Sequence, residues 1–207
     1  MTFTTITAQA AFGPEPGRWP LPSAHSPQEL WLRAVAAGGQ GRYGSAETDL
    51  SRLLRGRPDA RLASLALSAR ASFLRLRGWR WPTRAWGGLA GARAAGDPEA
   101  GAGALIGLAA EALGVGRLAA SAVLLERAVA LVKPHPAPRL GIRLAWVRAE
   151  LAMAAGDGDA ATDHARSGVE LAEAAQPALG RHRVKSDVVL AAALCCAGDL
   201  AGAAQRG

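Results

Sequence analysis

Asparagine is absent from the 207 residues, and lysine occurs only at Lys133 and Lys185 among 24 basic side chains. That skew toward Arg, Ala and Gly looks like coding bias before it looks like function. Cysteine occurs only as the adjacent pair Cys195 and Cys196. On a helix their side chains diverge by about 100°, which argues against a structural disulfide and fits a cytoplasmic setting, with both thiols on an apolar helix face. Aromatic residues make up 5% of the chain, so the apolar half is mostly Ala and Leu. Both are strong helix formers, and no convincing run of alternating β-branched residues argues for a strand. An all-α protein is expected.

Other signals are missing as well. Residues 1–24 lack the basic start and compact apolar run of a secretory signal. The most apolar long stretch, residues 100–125, is broken by Glu111 and Arg117 and diluted by Gly and Ala. It makes a poor membrane span and a good helical hairpin, so no membrane partner is expected. The run Gly114-Val-Gly116-Arg-Leu-Ala119 imitates a dinucleotide fingerprint but follows a helical pattern rather than a strand. His25, His135, His164 and His182 are scattered without a second ligand at helical spacing. Asp157, Asp159 and Asp163 resemble a calcium loop, yet residue 168 is Gly where the bidentate Glu belongs. Those carboxylates are expected at a helix start, where the dipole favours them. The expectation is a non-enzyme with no catalytic residue, metal or cofactor.

What the chain does have is a recurring glycine turn. Gly41, Gly78, Gly116, Gly156 and Gly198 each follow an Ala/Leu-rich helical stretch and precede another, at spacings of 37 to 42 residues. Self-similarity at that period signals stacked helical hairpins, none of which buries its apolar face alone. Before the first hairpin, residues 1–26 are rich in proline and read as an extended or disordered arm, with Trp19 as its one anchor. Ser26, Pro27 and Glu29 then have the chemistry of a helix start.

These residues resemble a tetratricopeptide (TPR) repeat. With Gly41 at the family's turn glycine, Tyr43 takes the aromatic turn position, Ala46 the small packing position, Leu50 and Leu53 the core positions, and Pro58 the closing proline. Leu30, Ala34 and Ala37 depart from the family's first-helix pattern. Leu105, Leu108 and Ala109 before Gly116, with Ser121, Leu125 and Ala128 after it, repeat the frame well. The fourth and fifth copies keep mainly small residues, including Ala161, Ala165 and Ala203. The resemblance implies a right-handed α-solenoid of about five antiparallel helix pairs over 27–207, with hairpins near 27–58, 61–97, 102–134, 140–176 and 182–207. The truncated fifth pair would be capped by a partner, a second copy or a polar last turn.

The same resemblance implies a concave groove lined by the first helices, holding a peptide or protein segment. Its positions here are Trp31, Val35, Leu65, Phe73, Ile106, Arg143, Trp146, Glu150 and Lys185. Trp31 and Trp146 are read either as groove walls or as internal seam residues. The family's carboxylate-clamp subtype relies on Asn and Lys in the groove and is disfavoured here.

Charge is uneven. Residues 1–96 carry 13 basic and 5 acidic side chains, whereas residues 97–207 carry 11 and 12. An Arg-rich first half could contact nucleic acid or an acidic partner, which is the alternative to peptide binding. Within it, Arg77, Trp79, Arg80, Trp81, Arg84 and Trp86 interleave cation and ring. That pattern suits base stacking or an acidic partner, or else a loop folded over the hairpin seam with its Arg solvated.

Overall fold

A computed structural model of the chain describes residues 3–76, 88, 89, 92, 93, 96–133, 137–176 and 178–206. Among these the chain is helical with no strand: α1 (Phe3–Ala11), α2 (Pro27–Gly39), α3 (Tyr43–Arg55), α4 (Ala60–Leu76), α5 (Pro98–Gly114), α6 (Leu118–Val132), α7 (Pro138–Ala155), α8 (Gly158–Ala174), α9 (Gly180–Cys196) and α10 (Leu200–Ala204). Residues 88, 89, 92 and 93, between α4 and α5, are helical too.

Local chemistry sets the helix starts. At α2 a capping box forms: Glu29 N–H donates to Ser26 Oγ at 3.2 Å, and Ser26 N–H donates back to Glu29 Oε2 at 3.1 Å. Asp97, Asp157 and Asp199 cap α5, α8 and α10 in the same sense, each accepting from a backbone N–H three residues on. The carboxylate of Asp157 is thus at a helix start, as its position suggested.

The turns share one geometry. Gly41, Gly116, Gly156 and Gly198 have φ of 76°, 76°, 79° and 85°, and the residue after each donates to the carbonyl five positions back at 2.9 Å. This is the left-handed helix stop that glycine permits without a Cβ penalty. Gly96 and Asp97 repeat it, at 3.1 Å, before α5. Consequently α5 starts at Pro98, four residues ahead of the expected third hairpin. Gly156→Ala is expected to destabilise the chain by about 1 kcal/mol, because no new contact offsets the left-handed strain; urea unfolding measures it.

Packing follows the pairs. Helix α2 packs on α3, α5 on α6, α7 on α8 and α9 on α10. The second helix of a pair meets the next first helix at α3–α4, α6–α7 and α8–α9. First helices also meet one another in a row, α2–α4–α5–α7–α9. The positions assigned from the repeat frame are core: Ala46, Leu50, Ser121, Leu125, Ala128, Ala161 and Ala165 are all buried. Small side chains at the crossings let the backbones approach, and Leu fills the seam. No helix among the described residues is long and apolar enough to cross a membrane.

The N-terminal arm departs from the extended reading. Residues 3–11 form a helix, and it packs on α2. Its prolines begin only at Pro14, so nothing breaks the preceding Thr/Ala/Ile stretch, and Ala10 and Ala11 are fully buried against the first core cluster. The proline-bearing remainder up to Ser26 is irregular, as expected. Trp19 stays exposed, with the Arg42 guanidinium 4.1 Å from its ring centroid. Cys195 and Cys196 are both exposed free thiols rather than part of an apolar face.

Candidate functional site

The first-helix row does not run straight. Four helix-to-helix steps at the usual 8–10 Å would place α9 about 35 Å from α2. Instead the Arg181 guanidinium in the first turn of α9 reaches the last turn of α2, donating from Nη1 to the Val35 carbonyl at 3.0 Å and from Nη2 to that of Ala36 at 3.5 Å. Nη2 also donates to the Ala10 carbonyl of α1 at 3.1 Å. One cation therefore satisfies carbonyls at the C-terminal ends of two helices, where the dipole favours positive charge. The row bends far enough to bring its two ends within one arginine's reach.

Residues just after α1 lie inside that bend. Phe12 has its ring centroid 5.6 Å from that of Trp31 on α2 and 6.4 Å from that of His182 on α9. The Arg139 guanidinium of α7 lies over the same ring, 4.4 Å from its centroid, a cation–π contact. Trp146 of α7 stacks on His182 at 5.4 Å, and its Nε1 donates to Ser186 Oγ at 2.8 Å. Ser186 in turn donates to the Gly168 carbonyl of α8 at 3.1 Å. Aromatic and hydrogen-bonded contacts thus join α2, α7, α8 and α9 around Phe12.

Several of the expected groove residues take part. Trp31 is 8% exposed, its Nε1 has no hydrogen-bond partner, and it lies beneath Phe12 as a seam residue, not an open wall. Trp146 is half-buried in the cluster just described, and Val35 supplies a carbonyl to Arg181. Glu150 and Lys185 pair across α7 and α9 at 3.2 Å. Leu65 and Phe73 pack on the first core cluster, with Phe73 also 6.0 Å from Tyr43 between ring centroids. Ile106 is buried in the core, so it is unavailable to a partner. Arg77, Trp79, Arg80, Trp81, Arg84 and Trp86 lie outside the described residues. In the basic first half, Arg33 grips the buried Asp49 through two bonds of 2.8 and 2.9 Å, Arg61 pairs with Asp97, and Arg70 pairs with Glu47.

The inside of the bend is cationic. Burial, with Arg75 and Arg139 close by, pushes the Arg143 guanidinium down to about 10. His182 is pushed down to about 4 by burial and then by Arg143, Arg139 and Arg181. Glu111 is raised by burial, against the opposing pull of Arg75. His182 is therefore neutral at pH 7. Its charged form is disfavoured in the fold, so the folded chain binds fewer protons than the unfolded chain between about pH 6.5 and pH 4. Stability from this group is complete above the unfolded value and declines as pH falls toward 4. The measured difference in unfolding free energy between wild type and His182→Gln should shrink across that window and stay flat above pH 7.5.

No protein-family model matches the chain, and no curated protein matches it. The functional reading rests on the geometry.

Phe12, Arg139, Arg181 and His182 escaped the repeat frame. Arg139 was within reach of it, being one helical turn before Arg143 on the same face. Phe12 and Arg181 carry no periodic signal, because each acts between segments far apart in sequence.

Proposed function

We propose that the chain is a cytoplasmic, non-enzymatic interaction module: a TPR-like, right-handed α-solenoid of about five helix pairs whose first-helix row receives an apolar, aromatic-bearing segment of another protein. The observation that carries this reading is that the row already holds such a segment of its own. Helix α1 packs on α2 and meets α9 through the Arg181 bond to the Ala10 carbonyl, and Phe12 just after it meets α2, α7 and α9, which is how an apolar segment docks in a helix-lined groove. A partner segment competes with α1 for that face, with Trp146, Glu150 and Lys185 at its α9 end. The test is affinity purification of the full chain at native abundance beside Trp146→Ala and Arg143→Glu. Partners held by the wild type should be lost from both variants. Retention of every partner by both would count against a site on this row.

A further inference from the structure

We infer that the cleft between the pair α5–α6 and the helical residues just before α5 binds a free medium-chain fatty acid, acyl chain in the cleft and carboxylate on Arg93 and Arg127. The cleft has a volume of about 400 Å³ and opens to solvent, a size within the range of small-molecule sites. Its walls are carbon: Leu89 from the segment before α5, Leu105 from α5, and Ala130 and Leu131 from α6. Gly101 leaves room between them, since a Cβ there would stand 3.4 Å from Leu131 Cδ1 and 3.9 Å from the Ala92 Cβ. Arg93 and Arg127 line the same cleft, with Arg127 one turn before Leu131 on the same face of α6. Both arginines are exposed, and neither has an ion pair or a hydrogen bond among the described residues. No residue outside the described ones is Asp or Glu.

Charge decides the occupant. Asp97 is the one carboxylate lining the cleft, and both its oxygens are taken: Oδ1 accepts from Ala100 N–H at 3.0 Å and Oδ2 from Arg61 Nε at 2.6 Å. Two unanswered cations therefore stand beside an apolar hollow. A second cleft, of about 360 Å³ between α8 and the pair α9–α10, gives the contrast, because there Arg166 and Arg206 stand among Glu170, Glu173 and Asp199. Arg206 also has Asp187 at 3.4 Å. Charges balance within the chain at that cleft and not at the one beside α5. A planar guanidinium fork suits the two oxygens of a carboxylate. The carbon walls offer no polar side chain to the amides of a peptide, whose burial without partners is costly, whereas an acyl chain has no amide to satisfy. A hydrocarbon tail with an anionic head thus matches both parts of the cleft.

This inference goes beyond the interaction reading and does not depend on it, since the cleft includes none of Trp146, Glu150 and Lys185. The test is isothermal titration calorimetry of the full chain at pH 7.5 with octanoate, with 1-octanol, and with the tripeptide acetyl-Ala-Ala-Leu bearing a free carboxylate. Saturable one-to-one binding of octanoate is expected. Octanol, which keeps the tail without the charge, should bind about tenfold more weakly, as should octanoate to the double variant Arg93→Ser, Arg127→Ser, because charge-assisted bonds are lost in both cases. Both substitutions are at exposed positions, so the fold is retained. Gly101→Ala narrows the cleft and should also weaken octanoate, while alanine favours the helix. The double variant Arg166→Ser, Arg206→Ser at the other cleft should bind octanoate as the wild type does. No saturable binding of octanoate, equal binding of octanol, equal binding by the Arg93/Arg127 variant, or an equal loss in the Arg166/Arg206 variant overturns the site. Tighter binding of the tripeptide than of octanoate overturns it too, by assigning the cleft to a chain terminus.

Discussion

Arg181→Met is expected to lower the unfolding free energy by about 3 kcal/mol and to release α1 from the row. Three bonds from a charged donor end on carbonyls of α1 and α2, and Ala10 and Ala36 are fully buried. Removing the donor strands the buried Ala10 carbonyl at about 1–3 kcal/mol and takes a charged donor from Val35 and Ala36, although Ala36 keeps its bond from Gln40 N–H at 3.2 Å. Met keeps much of the apolar stem, so packing loss adds little. Urea unfolding gives the magnitude. Hydrogen exchange over residues 6–12 should then rise toward the unprotected rate while exchange in α5 and α6 is unchanged. A loss below about 0.5 kcal/mol with α1 still protected would show that Arg181 is incidental, as exposed surface pairs often are.

Phe12→Ala is the second large effect, at about 2 kcal/mol. A fully buried Phe→Ala costs about 3–5 kcal/mol, and Phe12 is half-buried, which scales the figure down. The variant also loses contacts with Trp31, His182 and Arg139. Trp31 should become accessible, seen as a red shift in emission and faster quenching by iodide. Arg181 and Phe12 both hold the N-terminal segment, so the double variant should lose less than the sum of the single losses. Strict additivity would mean that they stabilise separate parts.

The repeating parts of this architecture were legible because they rest on local rules. A glycine at a helix end, Ser26 with Glu29, an Ala at a crossing and a Leu four residues later are each readable within one hairpin, and Gly41, Ala46 and Leu50 occupy the places those rules predict. The parts that make the inside of the bend were not legible. Arg181 meets Val35 across 146 residues of chain, and Phe12 meets His182 across almost the whole sequence. No periodicity encodes such pairings, and curvature accumulates from small rotations between pairs that no single turn reveals. Proline density keeps the chain out of helix between Phe12 and Ser26 but does not reach back to the helix at Phe3–Ala11, because proline acts locally. Trp31 matched a groove position in the frame, yet whether a groove residue faces solvent depends on what else the chain places there.

The central claim is that the first-helix row bends until its ends are clasped by Arg181 around the N-terminal segment. A pulsed electron–electron distance measurement tests it directly, with spin labels on Arg42→Cys just after α2 and Val184→Cys near the start of α9, both exposed positions, in a Cys195→Ser, Cys196→Ser background. A narrow distribution centred below about 25 Å is predicted, lengthening when Arg181→Met is added. A distribution centred at about 35 Å or beyond, the span of a straight row of five helices, and unchanged by Arg181→Met, would contradict it.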